Sequence, residues 1–309
     1  MIPRSGRQYD LRSGRYRVTV ASVGATLRML RYDGRDLVRS FDADVLRPGM
    51  SGAVLAPWPN RTSDGRYEFD GAVHQLAINE IDRRTAAHGL VAWTGFEPER
   101  VEDDAVLLST TIEPQEGYPW RVRIDAEFTL TEAGLRQSVT ATNLGAERAP
   151  VALGAHPYLL AGAARKAAID EWRLALTATR MLTVSEDRCL PVRPASAGID
   201  GSELPLRGRT LNNAFTGLEG VDAGRPIVRV VDATGQGAEL VLGDGAGWVQ
   251  LYTSDESIGD EFRSAVAVEP QTSPPDALNS GLDLPVIGPG ESVHLSWGIR
   301  AVQRPGIRA

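Results

Sequence analysis

A chain of 309 residues, 42% hydrophobic and 24% charged, has ordinary globular composition and is long enough to bury a large core. Its 33 Lys and Arg against 40 Asp and Glu leave a net charge of −7 with no block of like charge, which argues against a nucleic-acid partner. A single cysteine, Cys189, excludes an intrachain disulfide and a cysteine-based zinc cluster, and no apolar run of about 18 residues is present to span a membrane.

The N-terminal MIPRSGRQYDLRSG is polar and basic, without the apolar stretch of a secretory signal, so a cytoplasmic location is expected. Tyr16, Val18 and Val20 then alternate with polar residues as a strand does, and Asp33-Gly34 reads as a tight turn. In 56-APWPNRTSDGRYEFDG-71 two early prolines hold the chain irregular just before Asn60 and Arg61. That arginine is either an exposed side chain or a forked donor for hydroxyls and carboxylates. Asp70-Gly71 predicts a second tight turn, with His74 just past it as a solvated histidine. In 85-TAAHGLVAW-93, Gly89 lets another group approach the backbone beside His88.

The segment 120-WRVRIDAEFTL-130 alternates over its whole length, one face apolar and one wet, and 135-LRQSVTATNL-144 is its expected hairpin partner. In 153-LGAHPYLL-160 an apolar run is interrupted by His156, which Pro157 biases to an extended backbone. The best helical segment, 161-AGAARKAAIDEW-172, is short and broken by glycine, and 190–208 is the longest irregular stretch, read as a surface excursion. Cys189, just before it, reads as a small buried or half-buried residue. Asp244-Gly245 suggests another tight turn. In 266-VAVEPQTSPPDALN-279 a carboxylate, Glu269, ends an apolar run beside a proline-rich loop, which is costly unless it is paired or put to use. The final segment 292–301 alternates again, with His294 on its polar face. Short strands, turn chemistry, 32 Gly and 19 Pro predict an all-β antiparallel sandwich or barrel, one domain over residues 1–309.

Metal-ligand spacings such as HxH, HExxH and CxxC are absent, as are a serine nucleophile elbow and a phosphate-cradling glycine loop. No metal or cofactor is expected. What remains is His156, Glu269, His88 and Arg61 on separate β-loops, a set suited to proton transfer on a polar, uncharged substrate. On residue type alone, a satisfied core histidine at position 156 stays open beside a working one.

Taken in order, 59-PNRTSDGRYEFDG-71, 88-HGL-90, 154-GAHPYL-159, 211-LNNAFTGL-218, 249-VQLYTS-254 and 268-VEPQTSPPDALN-279 resemble the aldose 1-epimerase (galactose mutarotase) family. The resemblance implies a β-supersandwich with a pyranose cleft, with Glu269 as general base and His156 as general acid on opposite sides of the C1–O5 unit. It places Asn60, Arg61, His88, Tyr158 and Gln250 around the sugar hydroxyls. It also implies a free aldose as partner, and a monomer or homodimer. One position departs: where the family usually has Asp, this chain has Asn212, which donates as well as accepts but carries no charge. Three other readings compete. A hexose-6-phosphate epimerase would need basic residues at the cleft, for which Arg66, Arg83 and Arg84 are available. A non-catalytic sugar-binding module would not need a matched acid and base. A glycosidase would need a second well-placed carboxylate.

Overall fold

The alternating segments become long antiparallel strands in the computed structural model, which describes residues 1–220 and 224–303. Val122–Thr131 pairs with Gly134–Asn143 through the turn read at 131–134, and Gly134–Asn143 pairs on its other side with Ser292–Val302. They lie at the centre of a nine-stranded sheet whose outer strands are Glu97–Val101 at one edge and Leu204–Pro205 at the other. In Val122–Thr131 the side chains of Val122, Ile124, Ala126, Phe128 and Leu130 are fully buried while their neighbours stay half exposed.

A second, eight-stranded sheet carries Pro191–Asp200, Thr177–Val184, Asn212–Leu218, Trp248–Tyr252, Val266–Gln271, Gly154–Ala155 and Val54–Leu55 in that order, with Tyr158–Leu159 also on Val266–Gln271. Phe215, Val249, Leu251 and Val268 share one of its faces by register, and they join Phe128, Leu295 and Trp297 of the first sheet in one continuous apolar cluster. On its other face, segments around residues 49–50, 60–61, 79–83 and 87–88 enclose a cavity with Glu269, and Val266–Gln271 is buried along its whole length and shows no alternation. A four-stranded sheet, Gln8–Ser13, Tyr16–Ala21, Thr26–Tyr32 and Arg35–Asp36, adds Val18, Val20 and Leu30 to the same cluster. The fold is all-β and antiparallel, as the sequence predicts. Among the described residues no helix is long and apolar enough to cross a membrane.

Several local expectations need correction. The stretch 190–208 is not irregular: Pro191–Asp200 is a strand paired with Thr177–Val184. It lies at the sheet's edge and is mostly exposed, so it never needed an apolar alternation. Asp33-Gly34 and Asp70-Gly71 do turn hairpins, with positive φ at all four residues. Asp244-Gly245, however, joins Gly237–Leu242 in one sheet to Trp248–Tyr252 in the other, and is a crossover. The helical segment forms only a short 3₁₀ turn, Ala168–Glu171. His74 is half-buried, not solvated, because its ring packs on Tyr67 and Trp120 at 5.0 Å each. His294 is exposed and contacts Thr140, and Cys189 is buried.

Candidate active site

Antiparallel pairing gathers residues far apart in sequence into one row. Gly154 pairs with Gln271 and Tyr158 with Ala267, so the same register carried through the residues between sets His156 opposite Glu269. On the far side of that strand Gln250 is the partner of Glu269. One strand further, Ala214 faces Gln250 and Asn212 faces Tyr252. Direct cross-strand partners share a face and lie about 5 Å apart. The imidazole Nε2 of His156 accordingly sits 3.3 Å from Oε1 of Glu269. The two groups stand side by side on one wall of the site.

The second wall comes from the loops that cover this face. Arg61–Ser63 pairs with Thr85–Ala87, and the residues flanking that pairing, Asn60 and His88, have φ of 55° and 66°. The amide of His88 donates to the Asn60 carbonyl at 2.8 Å, which locks the two turns together. Gly89 is required here: with φ of +71°, a Cβ would lie 2.1 Å from the Ala56 carbonyl oxygen. Arg61 donates to both oxygens of Glu80, at 2.7 and 2.9 Å, and is held flat along the wall.

Asn60, Arg61, His88, His156, Tyr158, Asn212, Gln250 and Glu269 all line one cavity of about 260 Å³. Sequence reasoning did not single out Gly49, Met50, Asn79, Glu80, Tyr252 and Glu256, which line it too. Tyr252 could have been found, since it lies two residues beyond Gln250 on the same strand face. The others sit in segments without period. Of the three arginines considered for a phosphate, only Arg83 lines the cavity, and it is ion-paired with Glu256 at 2.7 Å and near Glu80 at 3.8 Å. Arg66 borders a different groove with Asp64 and Asp276, and Arg84 is exposed.

Burial dominates the electrostatics. Glu269 is 2% exposed, and desolvation pushes its pKa up to about 8 against the opposing influence of Arg61 and of a hydrogen bond from Gln271 at 3.1 Å. His156 is pushed well below the ordinary imidazole value by burial first, then by His88 and Arg39. His88 is lowered to about 4 by burial and Arg61, with Glu80 opposing. Both shifts favour the neutral forms of the pair, imidazole and carboxylic acid. Some polar atoms are already committed: Tyr158 Oη donates to the Gly49 carbonyl at 3.0 Å, and Gln250 Nε2 donates to Asn212 Oδ1 at 2.9 Å. Others are buried without a partner, among them Gln250 Oε1 and His88 Nδ1, and these suit a polar ligand. Among the described residues no group of three or more His, Cys, Asp or Glu is placed to hold a metal ion.

Two closely packed antiparallel sheets with a polar cavity on the covered face of one define the galactose mutarotase-like all-β fold. The chain belongs to the aldose 1-epimerase family, whose model matches residues 7–300. It is 29% identical to the uncharacterized protein YihR of Escherichia coli K12, over 96% of this chain and 93% of that one. It is 27% identical to the galactose mutarotase of Bos taurus, over 94% and 92%. Among solved structures, the GalM/aldose epimerase homologue of C. elegans superposes with a TM-score of 0.81 at 20% identity, covering 96% of this chain and 99% of that one. Galactose 1-epimerase of Lactobacillus acidophilus gives 0.75 at 18%, covering 94% and 93%.

Proposed function

We propose that this protein is an aldose 1-epimerase that interconverts the α- and β-anomers of a neutral hexose such as glucose or galactose. The observation that carries the reading is the buried His156–Glu269 pair, 3.3 Å apart, in a cavity otherwise lined by hydrogen-bonding side chains. Mutarotation needs one proton removed from the anomeric hydroxyl and one delivered to the ring oxygen. O1 and O5 share C1 and lie side by side, so an adjacent acid and base on one wall reach both. The pair's proton passes from Glu269 to His156. The carboxylate then takes the O1 proton as the imidazolium protonates O5, and the C1–O5 bond breaks. The free aldehyde rotates about C1–C2, and closure on its other face runs the transfers backwards. Each proton-transfer group is typically worth ~10²–10⁴-fold. His88, Arg61, Asn60, Gln250 and Asn212 hold the hydroxyls, and no cofactor is called for.

The phosphorylated-sugar reading is weaker, because an anion reaching Arg83 would meet Glu80 and Glu256 as well. Polarimetry on freshly dissolved α-glucose, α-galactose and hexose 6-phosphates tests the proposal. Acceleration for free aldoses above the phosphates is expected. Binding without acceleration for any aldose would overturn it in favour of a non-catalytic sugar-binding module.

A further inference from the structure

We propose that Arg39 is a positioning residue for His156, acting through the aromatic ring of Tyr158 as the outer layer of a guanidinium–phenol–imidazole stack. The proposal deepens the epimerase reading, on which it rests for its kinetic consequence. Arg39 Cζ lies 3.8 Å from the centroid of the Tyr158 ring. The His156 ring stacks on Tyr158 with centroids 5.0 Å apart and planes 25° from parallel. A ring face covered at 3.8 Å has no room for a second stacked ring, so the two neighbours take opposite faces. The neighbouring backbone fixes the same alignment, with the Arg39 amide donating to the Tyr158 carbonyl at 2.9 Å.

The guanidinium is aimed from its other edge. Nε and Nη2 both donate to Ser51 Oγ, at 3.1 and 2.7 Å, and Nη2 also reaches the Pro48 carbonyl at 3.2 Å. The loop that supplies these acceptors also receives the Tyr158 hydroxyl at Gly49. A Cβ on Gly49 would sit 3.1 Å from both Arg39 Nη2 and Tyr158 Oη, at a φ of +50°. The loop is thus shaped around the stack.

A purely packing role does not call for a charge. Arg39 is 6% exposed, and its closest carboxylate, Glu261, stands 3.8 Å from Nη1, an atom with no hydrogen-bond partner. A buried cation so thinly compensated is costly, and an apolar side chain would cover the ring at less cost. What the charge supplies is a field at His156. The groups facing that imidazole are Glu269 at 3.3 Å, His88 at 5.4 Å between ring centroids, and Tyr158, with the Arg39 and Arg47 cations beyond them. A fixed positive charge behind Tyr158 disfavours protonated His156 and so makes the imidazolium a stronger acid toward the ring oxygen. Cation–π contact with the tyrosine face holds that charge in place.

The test compares wild type with Arg39→Met, Arg39→Gln and Arg39→Lys. His156 protonation is read from imidazole ¹⁵N shifts without sugar, and kcat/KM is followed against pH by polarimetry. In the two neutral variants His156 is expected to take up its proton at a pH higher by about half to one unit. The acid limb of kcat/KM moves with it, while the alkaline limb stays. Arg39→Lys keeps the charge but not the flat stack, so its titration stays near wild type while kcat falls. Neutral variants that lose kcat or thermal stability with His156 titrating as in wild type would overturn the proposal and leave Arg39 as packing. Arg39→Gln retains donors for Ser51 and serves if the methionine variant does not fold. The ¹⁵N titration needs no turnover. Absence of mutarotation in wild type would therefore count against the epimerase reading alone, and an unmoved titration against Arg39 alone.

Discussion

Two glutamates, one in each large sheet, sit at the centre of a three-strand row and are almost fully buried. In the nine-stranded sheet Glu239 has Arg229 on one side and Arg300 on the other by register, and each guanidinium binds one of its oxygens, at 2.7 and 2.5 Å. In the eight-stranded sheet Glu269 has His156 and Gln250 in the same two places. The first row is cation, anion, cation, and the carboxylate is satisfied. In the second no permanent cation is in contact, and burial drives the carboxyl toward its neutral form. Backbone position and burial are shared, so the two carboxyls are set apart by their row neighbours.

The largest effect that would break this comparison is on turnover. Glu269→Gln keeps shape and hydrogen bonding but cannot accept a proton, and a fall in mutarotation of at least ~10²-fold is expected by polarimetry. Retention of more than about a tenth of the activity would remove Glu269 from the role of base. His156→Asn should slow the reaction by a similar ~10²–10⁴-fold and change the shape of the pH profile. Wild type should show a bell, because the pair must hold one proton. Its alkaline limit is set by loss of that proton, near the value of about 8 on Glu269, and its acid limit by a second protonation well below the ordinary imidazole value. Without His156 only an ionised Glu269 is needed, so the alkaline limb should vanish. His88→Asn should keep the bell; loss of its alkaline limb instead would exchange the roles of the two histidines.

Stability sharpens the contrast, since the same substitution should act with opposite sign at the two sites. The folded-state pKa of Glu269 is raised from 4.5 to about 8, so the folded protein holds this proton more tightly than the unfolded chain. That contribution is fully present below pH 4.5 and is lost as pH rises through about 8. Glu269→Gln has no such ionisation, so its Tm relative to wild type should climb between pH 5 and 8, by about 2 °C or more at the upper end. Glu239→Gln instead breaks two charged contacts and should cost about 1.5–3 kcal/mol at neutral pH, measured by denaturant unfolding. Its kcat/KM should stay within about twofold of wild type, a difference under about 0.5 kcal/mol. Equal signs at the two sites would mean that Glu269 is held ionised by something other than its row neighbours.

The two glutamates also differ in how readable they were. Glu269 stands out in 266-VAVEPQ-271 because the run has no polar alternate face, so any charge there needs a reason. Glu239 in 237-GAELVL-242 looks like an ordinary outward residue, and its satisfying arginines lie 10 and 61 positions away, out of reach of any local pattern. The same logic sorts the cavity. His156, His88 and Arg61 were visible because each breaks an apolar or irregular segment. Glu80 and Glu256 were not, since their place in the wall depends on ion pairs with Arg61 and Arg83 that only the folded loops create. Long half-wet strands such as Val122–Thr131 were legible from period alone, whereas the edge strand Pro191–Asp200 was not, because a strand exposed on most of its length carries no burial signal.

The smallest expected effect concerns Asn212, which stands one strand beyond Gln250. Gln250 Nε2 donates to its Oδ1, and this fixes which way the amide lies: Nδ2 is turned toward Cys189 Sγ, 3.8 Å away. Asn212→Asp preserves the acceptor for Gln250 and replaces the amide donor with a second acceptor. It also brings a negative charge toward Glu256, whose Oε1 lies 4.0 Å from the same sulfur. A hydroxyl oxygen that accepts from Nδ2 would lose its donor, while one able to donate would gain a charged partner. One hydrogen bond of about 1.4 kcal/mol is tenfold in kcat/KM. The substitution should therefore reorder a panel of aldoses by about that factor, and the best turnover rate should change less, because the proposed acid and base, His156 and Glu269, are untouched. An unchanged order across epimers at each ring position would place the Asn212 amide out of contact with the sugar. It would leave Gln250 Oε1 as the polar atom by which this part of the row reads its ligand.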